Sequence, residues 1–336
     1  MYDILENQTI CITGACGSIG KALVEQIYRY SNPKKVICID NNESALFELK
    51  HFSSIPFKMD CYFCDIRNRD EFVQRTKGVD IIIHAAAMKH VDISEFSPNE
   101  AIATNIYGTQ NVIKAAFENN VKITLFTSSD KAVNPTNVMG TSKLMGERLI
   151  SAAGIVGSKS GQKFASTRFG NVLGSNGSVI PIFRQQARTG RDITLTDEKM
   201  TRFVMSKNQA ADLVLQSLAL VNCGEVFVTK MDAIYIKDLA ELMLKKYGDS
   251  IDQRIITVGT KPGEKLYEEL LSNEEMGRSM ELDKFISIIP PLLKTPEIFQ
   301  GKSRPESEYN SDIETKMNPT ALENFMTVNG YFEYDT

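Results

Sequence analysis

The sequence lacks a long apolar run and a basic excess, and each absence excludes a class of protein. No segment approaches the roughly 20 consecutive apolar residues of a membrane-spanning helix, and no basic region precedes an apolar core at the N-terminus. The net charge is −4 and the pI is near 5.6, so no basic stripe is available for nucleic acid. We expect a soluble, cytoplasmic protein that binds neither membrane nor nucleic acid.

A second cysteine pair is also missing. Cys61 and Cys64 form a lone Cys-x-x-Cys motif, whereas a zinc ribbon needs two such pairs. We therefore predict no metal. Because the motif lies in a strand-like run, it suggests two reduced core thiols, with a redox pair as the alternative.

Strand-like and helical segments alternate through the first half of the chain. The predicted strands are Thr9–Thr13, Lys35–Asp40, Phe57–Cys64, Val79–His84, 121–127 and Phe164–Arg168. The predicted helices are Lys21–Tyr30, Pro98–Asn119 and 138–153. This alternation predicts an α/β fold, a doubly wound parallel sheet of Rossmann type with helices on both faces.

The pattern changes after Asn171. A helix is predicted from Ile182, and residues 206–230 return to helix and strand, whereas Pro290–Pro319 suggests irregular surface structure. We predict a dinucleotide-binding domain of residues 1–172 with 206–230. The remainder, 173–205 and 231–336, should form a smaller mixed α/β substrate domain.

A glycine-rich turn joins the first strand to the first helix, as in dinucleotide sites. Gly14, Gly17 and Gly20 would close the turn tightly and let backbone approach a pyrophosphate. Ser18 and Ile19 open the helix, whose N–H groups would face that anion. The alternative is a purely structural glycine turn.

Asp40 ends the second predicted strand at the spacing expected for a ribose diol, and its charge would repel a 2′-phosphate. No Arg or Lys follows at 41–45. We therefore predict NAD(P) as cofactor, with NAD favoured over NADP. Asp65 and Ile66 follow the third strand, where a carboxylate could accept from the adenine amino group. Small residues after the fourth strand would let the dinucleotide lie against backbone: Ala85, Ala86 and Ala87.

Ser129, Asp130 and Lys131 follow the strand at 121–127 and carry the most information about chemistry. On the next helix, Met139 and Lys143 share one face, one turn apart. Nicotinamide enzymes of this build normally have Tyr at the Met139 position, and a thioether cannot remove a hydroxyl proton. Acid–base work should therefore fall on Asp130, Lys131 or Lys143.

An adjacent Asp and Lys suit an elimination, which needs one group to accept a proton and another to donate one. Removal from water raises the pKa of a carboxyl and would lower the pKa of the Lys131 ammonium, so the two neighbours can tune each other. The alternative is a surface salt bridge at a strand end.

Together these motifs resemble the extended short-chain dehydrogenase/reductase superfamily, and more narrowly the bacterial UDP-N-acetylglucosamine 4,6-dehydratases of capsule, lipopolysaccharide and flagellin-glycan pathways. The resemblance runs from about residue 10 to 270. The segments that carry it are Gly14–Gly20, Asp65, His84–Val91, Asn105, Ser129–Pro135, Lys143, Arg168–Val172, Gly177–Pro181, Met200–Phe203 and Gly263–Lys265.

The resemblance implies that tightly held, recycled NAD(P)⁺ takes hydride from C4 of the hexose, water leaves across C5–C6, and the hydride returns to C6. By position, Asp130 is the acid at C6 and Lys131 the base at C5. Ser129 would hydrogen-bond the C4 oxygen, and Lys143 would hold the nicotinamide ribose. Because Met139 replaces Tyr, our hypothesis is that Asp130 or Lys143 takes the C4 hydroxyl proton.

The resemblance also assigns Asn105 to the cofactor site and makes the second domain bind a UDP-sugar. Lys89 would lie near the sugar or the carboxamide, and Asn171 would face the diphosphate. Arg202 is a candidate diphosphate clamp because its planar fork suits phosphate oxygens, and Glu264 would accept from the uridine ribose. Each of these side chains could instead be a solvated surface group.

Several alternatives stay open. The product could be a 4-keto-6-deoxy sugar with C5 retained or inverted, or a 5,6-ene released early. A nucleotide-sugar 4-epimerase would need Tyr as its usual base, so Met139 argues against it. The remaining possibility is a non-catalytic dinucleotide sensor, or an enzyme inactivated at Met139. The Ala- and Gly-rich helices at 98–119 and 138–153 predict a homo-oligomer, and the resemblance suggests a dimer or hexamer.

Overall fold

The computed structural model describes residues 2–52, 58–175, 177–248, 252–260, 263–294 and 296–332. Its strands are β1 Thr9–Thr13, β2 Lys35–Asp40, β3 Met59–Phe63, β4 Ile81–His84, β5 Ile123–Thr127, β6 Lys163–Arg168, β7 Asn171–Val172, β8 Ile193–Leu195, β9 Thr201–Met205, β10 Val226–Thr229, β11 Asp232–Tyr235, β12 Ile255–Thr257, β13 Glu269–Leu271, β14 Ser279–Glu281, β15 Phe285–Ile288 and β16 Tyr309–Asn310. Its α-helices are α1 Ser18–Tyr30, α2 Glu43–Phe52, α3 Arg69–Arg75, α4 Val91–Phe96, α5 Pro98–Ala101, α6 Thr109–Glu118, α7 Val138–Gly157, α8 Val179–Arg188, α9 Lys207–Ser217, α10 Ile236–Tyr247, α11 Asn273–Met276 and α12 Pro319–Val328.

A nine-stranded sheet organises the chain, in the order β14-β15-β10-β6-β5-β4-β1-β2-β3. The strands from β10 to β3 pair in parallel, whereas β15 and β14 are added antiparallel. The chain builds outward from β1 to β3 and then crosses back to β4, so the switch point lies between β1 and β4. The predicted doubly wound α/β fold is confirmed.

Apolar cores lie on both faces of this sheet, as a parallel sheet requires. Along β1, Ile10 and Ile12 enter the core that α1 and α9 cover, whereas Cys11 enters the opposite core. The alternation follows from the two-residue period of a strand. Helices α3, α6 and α7 cover the second face. Over the described residues, no helix is both long and apolar enough to cross a membrane.

A third apolar core lies beneath α8, α10 and α12 and includes Phe183, Leu239 and Leu322. Helix α8 begins at Val179, earlier than predicted, because Pro181 is tolerated in a first turn, where the N–H has no partner to lose. The C-terminal part differs from the prediction in one respect: strands β14 and β15, which lie within the predicted substrate domain, join the large sheet. The described residues of 290–319 are mostly irregular and exposed, as predicted, although Phe299 and Tyr309 are buried.

Two helices differ from the prediction in ways that bear on the site. The segment 98–119 contains a π-helical stretch over Ile102–Gly108 between α5 and α6. In α7, a Cβ at Gly140 would overlap the carbonyl oxygen of Lys131, and one at Gly146 would lie 2.8 Å from the Phe126 ring. These glycines let α7 pack against the sheet of the same chain, so they are not evidence that α7 packs against a second copy of the chain. The predicted start of the third strand at Phe57 lies outside the described residues.

The buried guanidinium of Arg168, at the end of β6, joins three elements. It binds both carboxylate oxygens of Glu147 on α7, at 2.9 and 2.6 Å, and Glu275 on α11 at 2.9 and 3.1 Å. Its Nη1 also donates to the carbonyl oxygen of Leu270 on β13 at 2.8 Å. Burial alone would raise the pKa of Glu275, but Arg168 outweighs that effect and lowers it to about 2.

We expect Arg168→Ala to destabilise the protein by about 3–5 kcal/mol, because it leaves two carboxylates buried without their cation. Arg69→Ala is the matched control, since Arg69 pairs with Glu118 on the exposed surface and its loss should change stability little. Urea unfolding of both variants measures the difference. Equal losses would contradict the importance of the Arg168 network.

Candidate active site

The carboxyl ends of β1, β2, β4 and β5 open into one cleft of about 940 Å³ at the switch point. The predicted site residues that line it are Gly14, Gly17, Ser18, Ile19, Gly20, Asp40, Asp65, Ile66, Ala85, Ala86, Ala87, Lys89, Ser129, Asp130, Lys131, Met139, Lys143 and Asn171. The predicted site residues outside this lining are Asn105, Arg202 and Glu264. Most of the predicted site residues therefore line one cleft, whereas Asn105, Arg202 and Glu264 lie outside its lining.

The glycine loop fits a pyrophosphate. Gly14 has a φ of +66°, and a Cβ there would lie 2.7 Å from the backbone nitrogen of Ala86. A Cβ at Gly20 would overlap the carbonyl oxygen of Gly14. Helix α1 begins at Ser18, directly behind this loop, so its N-terminal N–H groups and positive dipole end lie at the cleft.

The carboxylate of Asp40 holds the loop in place, since its oxygens accept from the backbone N–H groups of Cys16 at 2.9 Å and Asn42 at 3.0 Å. Arg67 lines the same end of the cleft and was not predicted. Its guanidinium binds Asp65, with Nη2 2.6 Å from Oδ2, and so holds the pKa of that carboxyl below its usual range. Asp65 is thus engaged by Arg67, and this end of the cleft does contain a cation.

Asn105 supports the cleft from behind. Its side chain is buried, accepts from the backbone N–H of Met88 at 2.8 Å and donates to the Met88 carbonyl at 3.0 Å. It also donates to Ser142 Oγ on α7 at 2.8 Å. The π-helical stretch carries Asn105 inward to make these bonds. Asn105 therefore fixes the segment after β4 and lies outside the cleft lining, and its direct contact with a cofactor stays a prediction.

A short 3₁₀ turn over Asp130–Ala132 follows β5 and places the central carboxylate. Asp130 is 1% exposed, and its Oδ1 accepts from Ser129 Oγ at 2.6 Å and from Lys131 Nζ at 3.1 Å. Its Oδ2 is buried without a hydrogen-bond partner among the described residues. The pair is built into the floor of the cleft, which excludes the surface salt bridge.

Lys131 lies between two carboxylates, because its Nζ is also 3.4 Å from Oε1 of Glu268. Burial lowers the pKa of Lys131, but Asp130 and Glu268 together outweigh burial, so the net direction is upward. This corrects the expectation that burial would lower it. Glu268 itself is 3% exposed, and burial raises its pKa.

Lys143 and Met139 lie on the cleft-facing side of α7, as the helical spacing predicted. The Lys143 ammonium donates to the Thr127 carbonyl at 2.9 Å and lies 4.6 Å from the centre of the Phe126 ring. Burial lowers the pKa of Lys143 to about 8. A sizeable fraction of this amine is therefore neutral near physiological pH, whereas Met139 offers no titratable atom.

Of the predicted substrate residues, only Lys89 and Asn171 line the cleft. The guanidinium of Arg202 is buried and donates to the carbonyls of Thr201 and Lys265, both at 2.8 Å. It also lies 3.9 Å from Glu264. Arg202 thus lies outside the cleft lining with donors bound to backbone carbonyls, and its part as a diphosphate clamp stays a prediction.

Sequence reasoning missed Arg67 and Glu268. Arg67 follows Asp65 by only two residues, so their pairing could have been read from the sequence, whereas no spacing in the sequence joins Glu268 to Lys131. For Glu268, the one available signal was two adjacent glutamates, Glu268 and Glu269, soon after the Gly263–Lys265 motif. Over the described residues, no group of His, Cys, Asp and Glu is placed to hold a metal ion.

Comparison with known proteins shows which family the chain is similar to. The profile of the family described as "Polysaccharide biosynthesis protein" matches residues 10–290. The "UDP-N-acetylglucosamine 4,6-dehydratase (inverting)" of Campylobacter jejuni is 36% identical over 290 residues, covering 86% of this chain and 85% of the relative. The "UDP-glucose 4-epimerase" of Rickettsia massiliae is 37% identical over 285 residues, covering 84% and 83%.

A solved structure, that of Pen from Bacillus thuringiensis, superposes with a TM-score of 0.88 at 37% identity. The match covers 98% of this chain and 99% of that one. Fold and sequence are therefore similar over almost the whole length of both proteins.

Gly20→Ala should weaken binding of NAD⁺ to the protein. The added Cβ displaces the Gly14 backbone, and overpacking of this kind costs about 1–3 kcal/mol. That energy corresponds to a loss of about 5- to 150-fold in affinity, which calorimetric titration with NAD⁺ would detect. Gly277→Ala is the control, because a Cβ there meets nothing within 4 Å. Unchanged affinity in Gly20→Ala would contradict the proposed pyrophosphate position.

Proposed function

The chain belongs to the polysaccharide biosynthesis protein family, with the extended short-chain dehydrogenase/reductase fold, and from that premise we propose that it is a UDP-GlcNAc 4,6-dehydratase. Its relatives are nucleotide-sugar dehydratases and epimerases, so the chain is an enzyme of that general type. The observation that carries the narrower proposal is the pair of buried Asp130 and half-buried Lys131 at the floor of the cleft, with Met139 in place of Tyr.

We propose a nicotinamide dinucleotide in the glycine-lined end of the cleft. When bound, it would accept hydride from C4 of the sugar and return it to C6. Asp40 supports NAD over NADP, because its charge opposes a 2′-phosphate. Arg67 weakens that preference, although its charge is largely balanced by Asp65 and by Glu100 at 2.6 Å.

The chain's own residues would move the protons. Once C4 is a ketone, the C5 proton is acidic, and the neutral amine of Lys131 would remove it. The Asp130 carboxyl would protonate the departing C6 hydroxyl. Their 3.1 Å separation lets the two groups act on neighbouring carbons of one sugar ring.

We assign the C4 hydroxyl proton to Asp130, with Lys143 as the alternative base. Asp130 Oδ2 has no hydrogen-bond partner among the described residues, so it is free to accept. The proton gained from C4 then serves at C6, and a single carboxyl performs both tasks. Lys143 is partly neutral near physiological pH, but its Nζ already donates to the Thr127 carbonyl.

A 4-epimerase is the second candidate, since Rickettsia relatives carry that name. Epimerisation returns hydride to C4 and needs neither removal of the C5 proton nor an acid at C6. The Asp130–Lys131 pair would therefore have no function in these two steps. Early release of a 5,6-ene and a non-catalytic sensor are the other outcomes. The C5 configuration of the product, the homo-oligomer and the cytoplasmic location stay predictions.

Incubation of the purified protein with UDP-GlcNAc, without added nucleotide, separates these candidates. Loss of one water by mass spectrometry supports the dehydratase, and proton NMR at C5 and C6 distinguishes retained ketone, inverted ketone and 5,6-ene. Formation of UDP-GalNAc from UDP-GlcNAc, without loss of water, would establish the epimerase. No product from a folded protein would contradict both enzymes.

Asp130→Asn should lower the rate of water loss by about 10²- to 10⁴-fold, the usual contribution of a general acid or base. The amide keeps the shape of the side chain but can neither accept the C4 proton nor donate one at C6. The exposed Asp283→Asn makes the same change of charge away from the cleft and serves as control. Full activity in Asp130→Asn would refute the assignment.

Met139→Leu should keep water loss within a few-fold of the wild-type rate. The substitution conserves volume, and such changes usually cost less than about 1.5 kcal/mol. The same rate assay with UDP-GlcNAc applies. A hundredfold loss would mean that the thioether takes part in the reaction, contrary to the roles given to Asp130 and Lys131.

A further inference from the structure

The proposed reaction has three proton-transfer tasks, at the C4 hydroxyl, at C5 and at the C6 hydroxyl. If Asp130 serves C4 and then C6, it must begin as a carboxylate. Lys131 must begin as a neutral amine to remove the C5 proton. Yet two carboxylates raise the pKa of Lys131, which favours its ammonium form. A neighbouring group must therefore take the Lys131 proton while Asp130 stays ionised.

Glu268 is placed to do so. Its Oε1 lies 3.4 Å from Lys131 Nζ, and the same nitrogen is 3.1 Å from Asp130 Oδ1. Its side chain is 4% exposed, and Oε2 is buried without a hydrogen-bond partner among the described residues. Glu268 does not line the cleft, so it would act through Lys131 and not on the sugar.

The charged groups that face Glu268 come from three places. Lys131 and Asp130 lie in the turn after β5, Arg202 on β9 has its Nε 3.6 Å from Oε1, and Lys265 belongs to the same segment as Glu268. Burial and Asp130 favour the protonated carboxyl, whereas the three cations favour the carboxylate. The net direction of the Glu268 pKa is upward, toward the protonated carboxyl that a proton store requires.

The segment that carries Glu268 is fastened to the Lys131 turn. Lys265 Nζ donates to the Val133 carbonyl at 3.0 Å, and Asn137 Nδ2 donates to the Gly263 carbonyl at 3.1 Å. The backbone N–H of Glu268 donates to Ser311 Oγ at 3.0 Å. These bonds hold Glu268 at a fixed distance from Lys131, as a proton-transfer partner requires.

We propose that Glu268 is a positioning residue that stores the Lys131 proton, so that Lys131 is neutral while Asp130 is ionised. The inference rests on the proposed dehydratase. One N–H bond of the Lys131 ammonium breaks, one O–H bond forms on Glu268 Oε1, and nitrogen keeps the electron pair. The lone electron pair on Lys131 Nζ then takes the C5 proton. Reprotonation of C5 by Lys131 returns the neutral amine, so no proton is gained or lost overall.

The test is the pH profile of C5 exchange in Glu268→Gln. In D₂O, the wild-type enzyme should incorporate deuterium at C5 of the product formed from UDP-GlcNAc. The rate should be nearly constant between about pH 6 and 8.5, because the Lys131 proton moves to Glu268 and not to solvent. In Glu268→Gln the rate near pH 7 should fall about tenfold or more and should recover by up to about tenfold per pH unit, as solvent deprotonates Lys131. Glu268→Asp should restore part of the rate near pH 7.

Glu269→Gln is the matched control. Glu269 is the next residue, and its carboxylate binds Asn134 and Lys265, both at 3.1 Å, without contacting Lys131. It should show the wild-type pH profile. If the rate of deuterium incorporation in Glu268→Gln falls equally at every pH, or if Glu269→Gln shows the same loss, Glu268 has only a structural role and the proposal is overturned. An unchanged or faster rate in Glu268→Gln would overturn it as well. A wild-type enzyme that releases no water from UDP-GlcNAc would instead contradict the proposed function itself.

Discussion

The buried guanidinium of Arg168 neutralises carboxylates from two other elements, and the geometry of the cleft depends on it. Through Glu147 it fixes α7, and through Glu275 and the Leu270 carbonyl it fixes the strand that follows Glu268. Without the cation, two buried charges would have to be separated or protonated at considerable cost. One interaction therefore sets the distance between the helix that carries Lys143 and the segment that carries Glu268.

Close approach of α7 to the sheet is the second constraint. Gly140 and Gly146 leave room for the Lys131 carbonyl and the Phe126 ring, so the helix lies directly on the end of β5. Lys143 is thereby removed from water, which lowers its pKa to about 8. The same glycines that suit a helix–helix interface in the sequence are used within the chain.

Two charged groups at the floor of the cleft, Asp130 and Lys131, form a nearly neutral cluster with two behind it, Glu268 and Arg202. All four groups are mostly buried. Such a cluster can redistribute a proton among its members without exchanging charge with solvent, because each transfer conserves the total. That property suits a reaction in which water is eliminated and every catalytic group ends as it began.

The sequence alone determined the doubly wound sheet, the glycine loop, Asp40 and the cleft position of Asp130, Lys131, Met139 and Lys143. These features depend on local periodicity and on the rule that ligands lie at strand carboxyl ends, and both can be read along the chain. Only the tertiary structure decided the π-helical turn at Asn105, the return of β14 and β15 to the large sheet, and the contacts of Arg202 and Glu268. Each of these depends on charges or backbone groups that are distant in sequence. Which partner a buried charge meets, and therefore in which direction its pKa moves, is fixed only when the chain is folded.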